Sequence, residues 1–129
     1  MPNTGFLEYA RAIRAAVDNL TDSGDAVLVS LQLDQRSSVR GFIDGTLHFH
    51  EGSQLIFREF LDTTRDNPRL MYAYHYQDAA QELIFRYDNA AHRPALSQPT
   101  HKHTPYGIET ASPPTLAEVL DEILQILGS

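Results

Sequence analysis

A chain of 129 residues, 42% apolar and 9% aromatic, fits a single globular domain spanning 1–129. It holds no cysteine, which excludes disulfides, thiolate nucleophiles, zinc-finger ligation and iron–sulfur ligation. A net charge of −7 argues against non-specific binding of bulk nucleic acid.

The acidity is uneven. Residues 69–103 carry 4 basic and 3 acidic side chains plus four of the six histidines, and every other stretch is acidic on balance, so an anion site belongs in that middle segment. No apolar run approaches the ~20 residues of a membrane-spanning helix. The opening MPNTGFLEYARAIR lacks a basic-then-apolar signal pattern, so no membrane association and a cytoplasmic location are expected.

Residues 4–20 predict a helix. Phe6, Ala10, Ile13, Val17 and Leu20 fall at alternating steps of four and three, giving one apolar stripe, and Thr21–Gly24 supplies turn chemistry at its end. Residues 26–33, AVLVSLQL, predict a strand with Val27, Val29, Leu31 and Leu33 on one face. GFIDGTLHFH and QLIFREFLD flank Glu51-Gly52-Ser53 and predict a hairpin. That turn pairs Phe49 with Leu55, Leu47 with Phe57 and Thr46 with Arg58.

RLMYAYHYQD and QELIFRYD predict a second hairpin around Ala79-Ala80, pairing Tyr72 with Tyr87, Tyr74 with Phe85 and Tyr76 with Leu83. Its aromatic face belongs to the core, and the other face gathers His75, Arg86 and Asp88. Residues 89–114, with Pro94, Pro99, Pro105, Pro113 and Pro114, predict a long loop, a feature that in compact domains usually carries function. Thr115 to Glu118 forms a capping box that opens a C-terminal helix. The expected fold is α+β: an N-terminal helix, an antiparallel sheet of about five strands, a long loop, and a C-terminal helix packed on one face.

His75, His92, His101 and His103, with Arg86 and Asp88, form the candidate catalytic set. Histidine titrates near neutrality and serves as acid or base. Arg58, Arg93, Lys102 and Tyr76 are candidates for binding phosphate or substrate, since arginine grips phosphate with two parallel bonds and lysine adds a point charge. Cleavage of RNA by its own 2′-hydroxyl needs such a set: a base, an acid and a cation for the phosphorane. His101 and His103, two apart on an extended strand, point the same way, and Asp88 or His92 would complete a metal set. A His-x-His pair alone is a weak metal signal, so no metal or other cofactor is assigned. No Gly-rich phosphate loop, nucleophile elbow or dinucleotide fingerprint is present.

Together, FREFLD (57–62), YAYHYQD (72–78), ELIFRYDNAAH (82–92), HKH (101–103) and PPTLAEVLDEI (113–123) resemble the TumE family, over about residues 25 to 127. These are small prokaryotic proteins regarded as the toxin half of a two-gene type II toxin–antitoxin pair. The resemblance implies an antitoxin partner from a neighbouring gene. By analogy with other toxins it also points to RNA or translation as the target. Family members often show Phe-Pro-His-His-Lys-His where this chain has Gln98 to His103, and a second histidine where it has Arg93, a residue suited to phosphate. Three functions follow as expectations: a metal-independent ribonuclease-like enzyme (hydrolase or transesterase), a non-enzymatic binding module, and a metal-dependent nuclease or hydrolase. A homodimer is compatible with each.

Overall fold

The computed structural model describes residues 5–90 and 100–128. Helix α1 (Gly5–Asp22) is followed by strands β1 (Ala26–Gln35), β2 (Arg40–Phe49), β3 (Gln54–Asp62), β4 (Arg69–Gln77), β5 (Leu83–Asp88), β6 (His101–Thr104) and β7 (Gly107–Thr110), then helix α2 (Leu116–Leu127). All seven strands form one antiparallel sheet in sequence order, a meander. The α+β class is as expected from the sequence; the strand count is higher. The added pair is the β6–β7 hairpin, within the segment that reads as a loop. Its strands are only four residues long, too short for an alternating run to stand out, and Pro105-Tyr106 turns between them.

Both helices cover one face of the sheet. The α1 stripe Phe6, Ala10, Ile13, Val17 and Leu20 is buried, as are Leu116, Val119, Leu120 and Ile123 of α2. They pack against Ile43, Leu47, Leu55, Phe57, Leu61, Tyr72, Tyr74, Tyr76 and Phe85 in one core. Each large side chain so buried contributes about 1.5–3 kcal/mol of transfer free energy. Gly41 and Gly45 in β2 are close-approach positions: a Cβ there would lie 2.4 Å from the rings of Phe6 and Phe57 respectively. The capping box forms as predicted, with Thr115 accepting from the Glu118 amide and Glu118 from the Thr115 amide, both at 3.1 Å. Among the described residues, no helix is long and apolar enough to cross a membrane.

Both hairpin registers differ from expectation by two residues. β2 and β3 pair Leu47 with Leu55 and Asp44 with Arg58; β4 and β5 pair Tyr74 with Tyr87, Tyr76 with Phe85 and His75 with Arg86. The cause is the same in each. The turn residues are His50-Glu51-Gly52 and Ala79-Ala80-Gln81, and the last of each is left-handed, Gly52 at φ +99° and Gln81 at +66°. Phe49 then closes on Ser53, and Asp78 on Glu82. Because the slip is even, every side chain keeps its face.

In β1 the single stripe is overturned. A bulge between Leu28 and Ser30 shifts the phase, leaving Ala26, Leu28 and Leu31 on the core side. Val27 and Val29 are exposed.

Candidate functional site on the open sheet face

Strand alternation across β4, β5 and β6 builds the site on the face away from the helices. The pairings His75–Arg86 and Arg86–His103 form one row, and Ala73–Asp88 and Asp88–His101 form the next. The β6–β7 hairpin therefore brings His101 and His103 back against the strand bearing Arg86 and Asp88.

Asp88 is the hub, with a side chain 7% exposed. Its Oδ2 accepts from Arg86 Nε at 2.9 Å and lies 3.3 Å from His103 Nε2. Its Oδ1 accepts from the Ala90 amide at 3.3 Å and lies 3.9 Å from His101 Nδ1. His101 is buried, while Arg86 and His103 keep partial exposure. Arg86 Nη1 donates to His75 Nδ1 at 3.4 Å, and His75 Nε2 donates to Gln77 Oε1 at 3.1 Å. That pattern requires a neutral imidazole with its proton on Nε2 and its lone pair on Nδ1, aimed at Arg86. Burial lowers the His75 pKa below its usual range; the Arg86 charge pushes the same way, and the bond to Gln77 opposes both.

A groove of about 470 Å³ runs from this cluster across the open face, lined by His75, Gln77, Arg86, Ala73, Thr46 and Arg58. Arg58 belongs to this groove. Its Nε pairs with Asp44 at 3.3 Å, a partner that the two-residue slip puts opposite it in place of Thr46.

Two expected site residues lie on the other face. Tyr76 is fully buried in the core, its hydroxyl 2.7 Å from Ser53 Oγ, so it is out of reach of any ligand in the groove. Lys102 sits between two histidines in sequence and, by alternation, opposite them in space. It donates to Glu122 of α2 at 3.0 Å and lies 5.2 Å from the Tyr87 ring. Burial opposes its charge, but Glu122 and Tyr87 outweigh that and hold its pKa above the usual value. His92 and Arg93 lie outside the described residues. Gln77 is a site residue that the sequence reading gave no role; its signal is the i+2 spacing from His75, which places both on one face. Among the described residues, no three His, Asp or Glu side chains converge as a metal site.

A second polar cluster occupies the covered face. Glu59 is fully buried in β3 and accepts from the Tyr9 hydroxyl. Arg69 donates to the Tyr74 hydroxyl at 2.8 Å and to the Pro114 carbonyl. Desolvation raises the pKa values of Glu59, Tyr9 and Tyr74.

No curated protein and no solved structure matches the chain significantly. A family model described as Toxin TumE matches residues 17–128, taking in all seven strands and α2. The chain therefore belongs to the TumE toxin family.

Proposed function

We propose that the protein is the toxin of a two-gene toxin–antitoxin pair and cleaves RNA without a metal, by transesterification at the open face. The observation that carries this reading is the row His75–Arg86–His103 with Asp88 behind it. A neutral imidazole, a guanidinium and a second imidazole stand side by side, the first two lining a groove, and the reaction needs a base, a charge stabiliser and an acid. When the substrate phosphate draws Arg86 away, the His75 Nδ1 lone pair that had accepted from Arg86 is freed and takes the proton of the 2′-hydroxyl as its oxygen attacks phosphorus. Arg86 neutralises the phosphorane. His103 gives a proton to the departing 5′-oxygen as the P–O5′ bond breaks, which leaves a 2′,3′-cyclic phosphate and a 5′-hydroxyl. Asp88 orients Arg86 and His103. His101, buried against Asp88, is a positioning residue. His92 and Arg93 are assigned to the site from sequence alone.

This reading implies a cytoplasmic protein with two partners, RNA and an antitoxin. The exposed acidic residues of α1 and α2 (Glu8, Asp22, Glu118 and Asp121) suit a basic antitoxin docking on the helix layer. The net charge of −7 also favours a competing reading, a non-enzymatic module that captures a basic protein and cuts nothing.

Incubation of the purified protein with RNA in EDTA separates these readings. The expected result is cleavage to cyclic-phosphate ends, reduced about 10²–10⁴-fold in His75→Ala and in His103→Ala. No cleavage by wild type, or equal cleavage by a His75→Ala/His103→Ala double variant, rejects the enzyme. Cleavage that EDTA abolishes assigns the chemistry to a metal.

A further inference from the structure

The open sheet face extends past the groove, whose lining reaches Arg58 and Asp44. Two residues beyond Arg58 on the same face of β3 stands Phe60, paired across the sheet with Phe42, their rings 4.4 Å apart and edge-to-face. Met71 flanks Phe60 on β4, and the Arg36 guanidinium lies 5.5 Å from the Phe42 ring. Both rings are half-buried, and both helices pack on the opposite face. Aromatic rings on a sheet face with no helix over them need either a covering element or a ligand with a flat apolar surface. The neighbouring guanidinium groups favour one that is also anionic.

Arg58 lies between the two zones. Its side chain is 60% exposed, and the bond to Asp44 uses Nε, leaving both terminal nitrogens without a protein partner among the described residues. On an ideal sheet, strand spacing and rise put the α-carbons of Arg58 and Arg86 about 12 Å apart, and those of Phe60 and Arg86 about 17 Å. A mononucleotide held by Arg86 does not reach Phe60; a short strand does. Base-on-ring stacking along a positively charged groove is how proteins hold single strands, and the stacked base must be unpaired.

We infer that Phe42 and Phe60 form a base-stacking subsite, with Arg58 gripping an intervening phosphate, so that the substrate is single-stranded RNA several nucleotides long rather than a duplex or a mononucleotide. This inference rests on the RNA-cleavage reading and extends it away from the reacting bond.

The test uses a dinucleotide, a hexanucleotide and a hairpin stem of RNA as substrates in EDTA. A hexanucleotide with 2′-O-methyl groups, which blocks the attack, serves as the binding probe in fluorescence anisotropy. The variants are Phe60→Ala, Phe60→Leu, which keeps apolar volume and loses the ring, and Arg58→Gln. Loss of one stacked base is expected to weaken hexanucleotide binding by roughly 5- to 150-fold in Phe60→Ala. Phe60→Leu and Arg58→Gln should weaken it in the same direction. Dinucleotide turnover by Phe60→Ala and Phe60→Leu should stay within about two-fold of wild type, and the stem should be cut slowest. If wild type cuts the hexanucleotide and all three variants bind the probe as tightly as it does, the subsite is wrong while the RNA reading stands. The subsite is equally wrong if the stem is cut as fast as the hexanucleotide, or if the variants weaken only an antitoxin complex. If wild type cuts no RNA at all, the cleavage reading itself fails.

Discussion

Glu59 and Asp88 are both buried carboxylates of one sheet, each close to an arginine, and they face opposite ways. Around Glu59, beneath α1, the other partners are tyrosines. Desolvation raises Glu59, Tyr9 and Tyr74, so the tyrosines hold their protons at any physiological pH. Such groups, sealed beneath α1, exchange nothing with a ligand. Around Asp88 the other partners are His101 and His103, with His75 on the far side of Arg86, and a groove reaches His75 and Arg86 from outside. The difference lies in which side chains surround the carboxylate and whether solvent arrives. A histidine at a groove can move a proton during a reaction; a tyrosine sealed beneath a helix can only hold fixed hydrogen bonds.

Substitutions should separate the faces. On the open face, His75→Ala is expected to cut the RNA-cleavage rate by about 10²–10⁴-fold while moving the urea midpoint little, since its side chain is only partly buried. On the covered face, Leu47→Ala is expected to cost about 2–5 kcal/mol in urea unfolding, with the rate per folded molecule unchanged. If Leu47→Ala abolished cleavage in protein shown to be folded, or His75→Ala unfolded the chain, the division between faces would fail.

Acidity separates the two faces more subtly, through urea midpoints measured between pH 4 and 9. Burial raises Glu59 above its ordinary 4.5, so the folded state binds more protons than the unfolded one above that pH. Its contribution is fully present below 4.5 and is lost as pH rises through the folded pKa. Glu59→Gln should therefore gain on wild type as pH rises. His75 is lowered from 6.5, so here the unfolded state binds more protons, and stability falls as pH drops below 6.5 toward the folded pKa. His75→Gln should gain on wild type on that acid side. Both variants tracking wild type across the range would contradict the two assignments. The smallest effect concerns neither cluster: Thr115→Ala should cost about 1 kcal/mol through the lost α2 cap and leave cleavage untouched.

Side-chain faces were legible in the sequence because alternation along a strand fixes them. His75, Arg86 and Asp88 share a face in the sequence reading and in the structure. Register was not legible. Which turn residue turns left-handed decides it, and Gln81 is no glycine, so nothing in its identity marks it. The slip matters for the site, since it sets His75 directly opposite Arg86 and gives Arg58 its Asp44 partner. The His-Lys-His run shows the same division. Its alternation was readable, with the two histidines on one side, but the strand itself was hidden among prolines. That concealed the fact that Lys102 faces α2 and Glu122. The β1 bulge was likewise invisible, since Val27 and Val29 look as suited to a core as Leu28.

The most direct test of the open-face chemistry is a DNA oligonucleotide carrying one ribonucleotide, incubated with the protein in EDTA. A transesterase needs the single 2′-hydroxyl and nothing else from the sugar. The expected result is one cut, immediately 3′ to the ribonucleotide, leaving a 2′,3′-cyclic phosphate, with His75→Ala and His103→Ala nearly inert. Cutting elsewhere along the DNA, a 5′-phosphate product, or full activity in the two histidine variants would contradict the assignment of this face as the catalytic one.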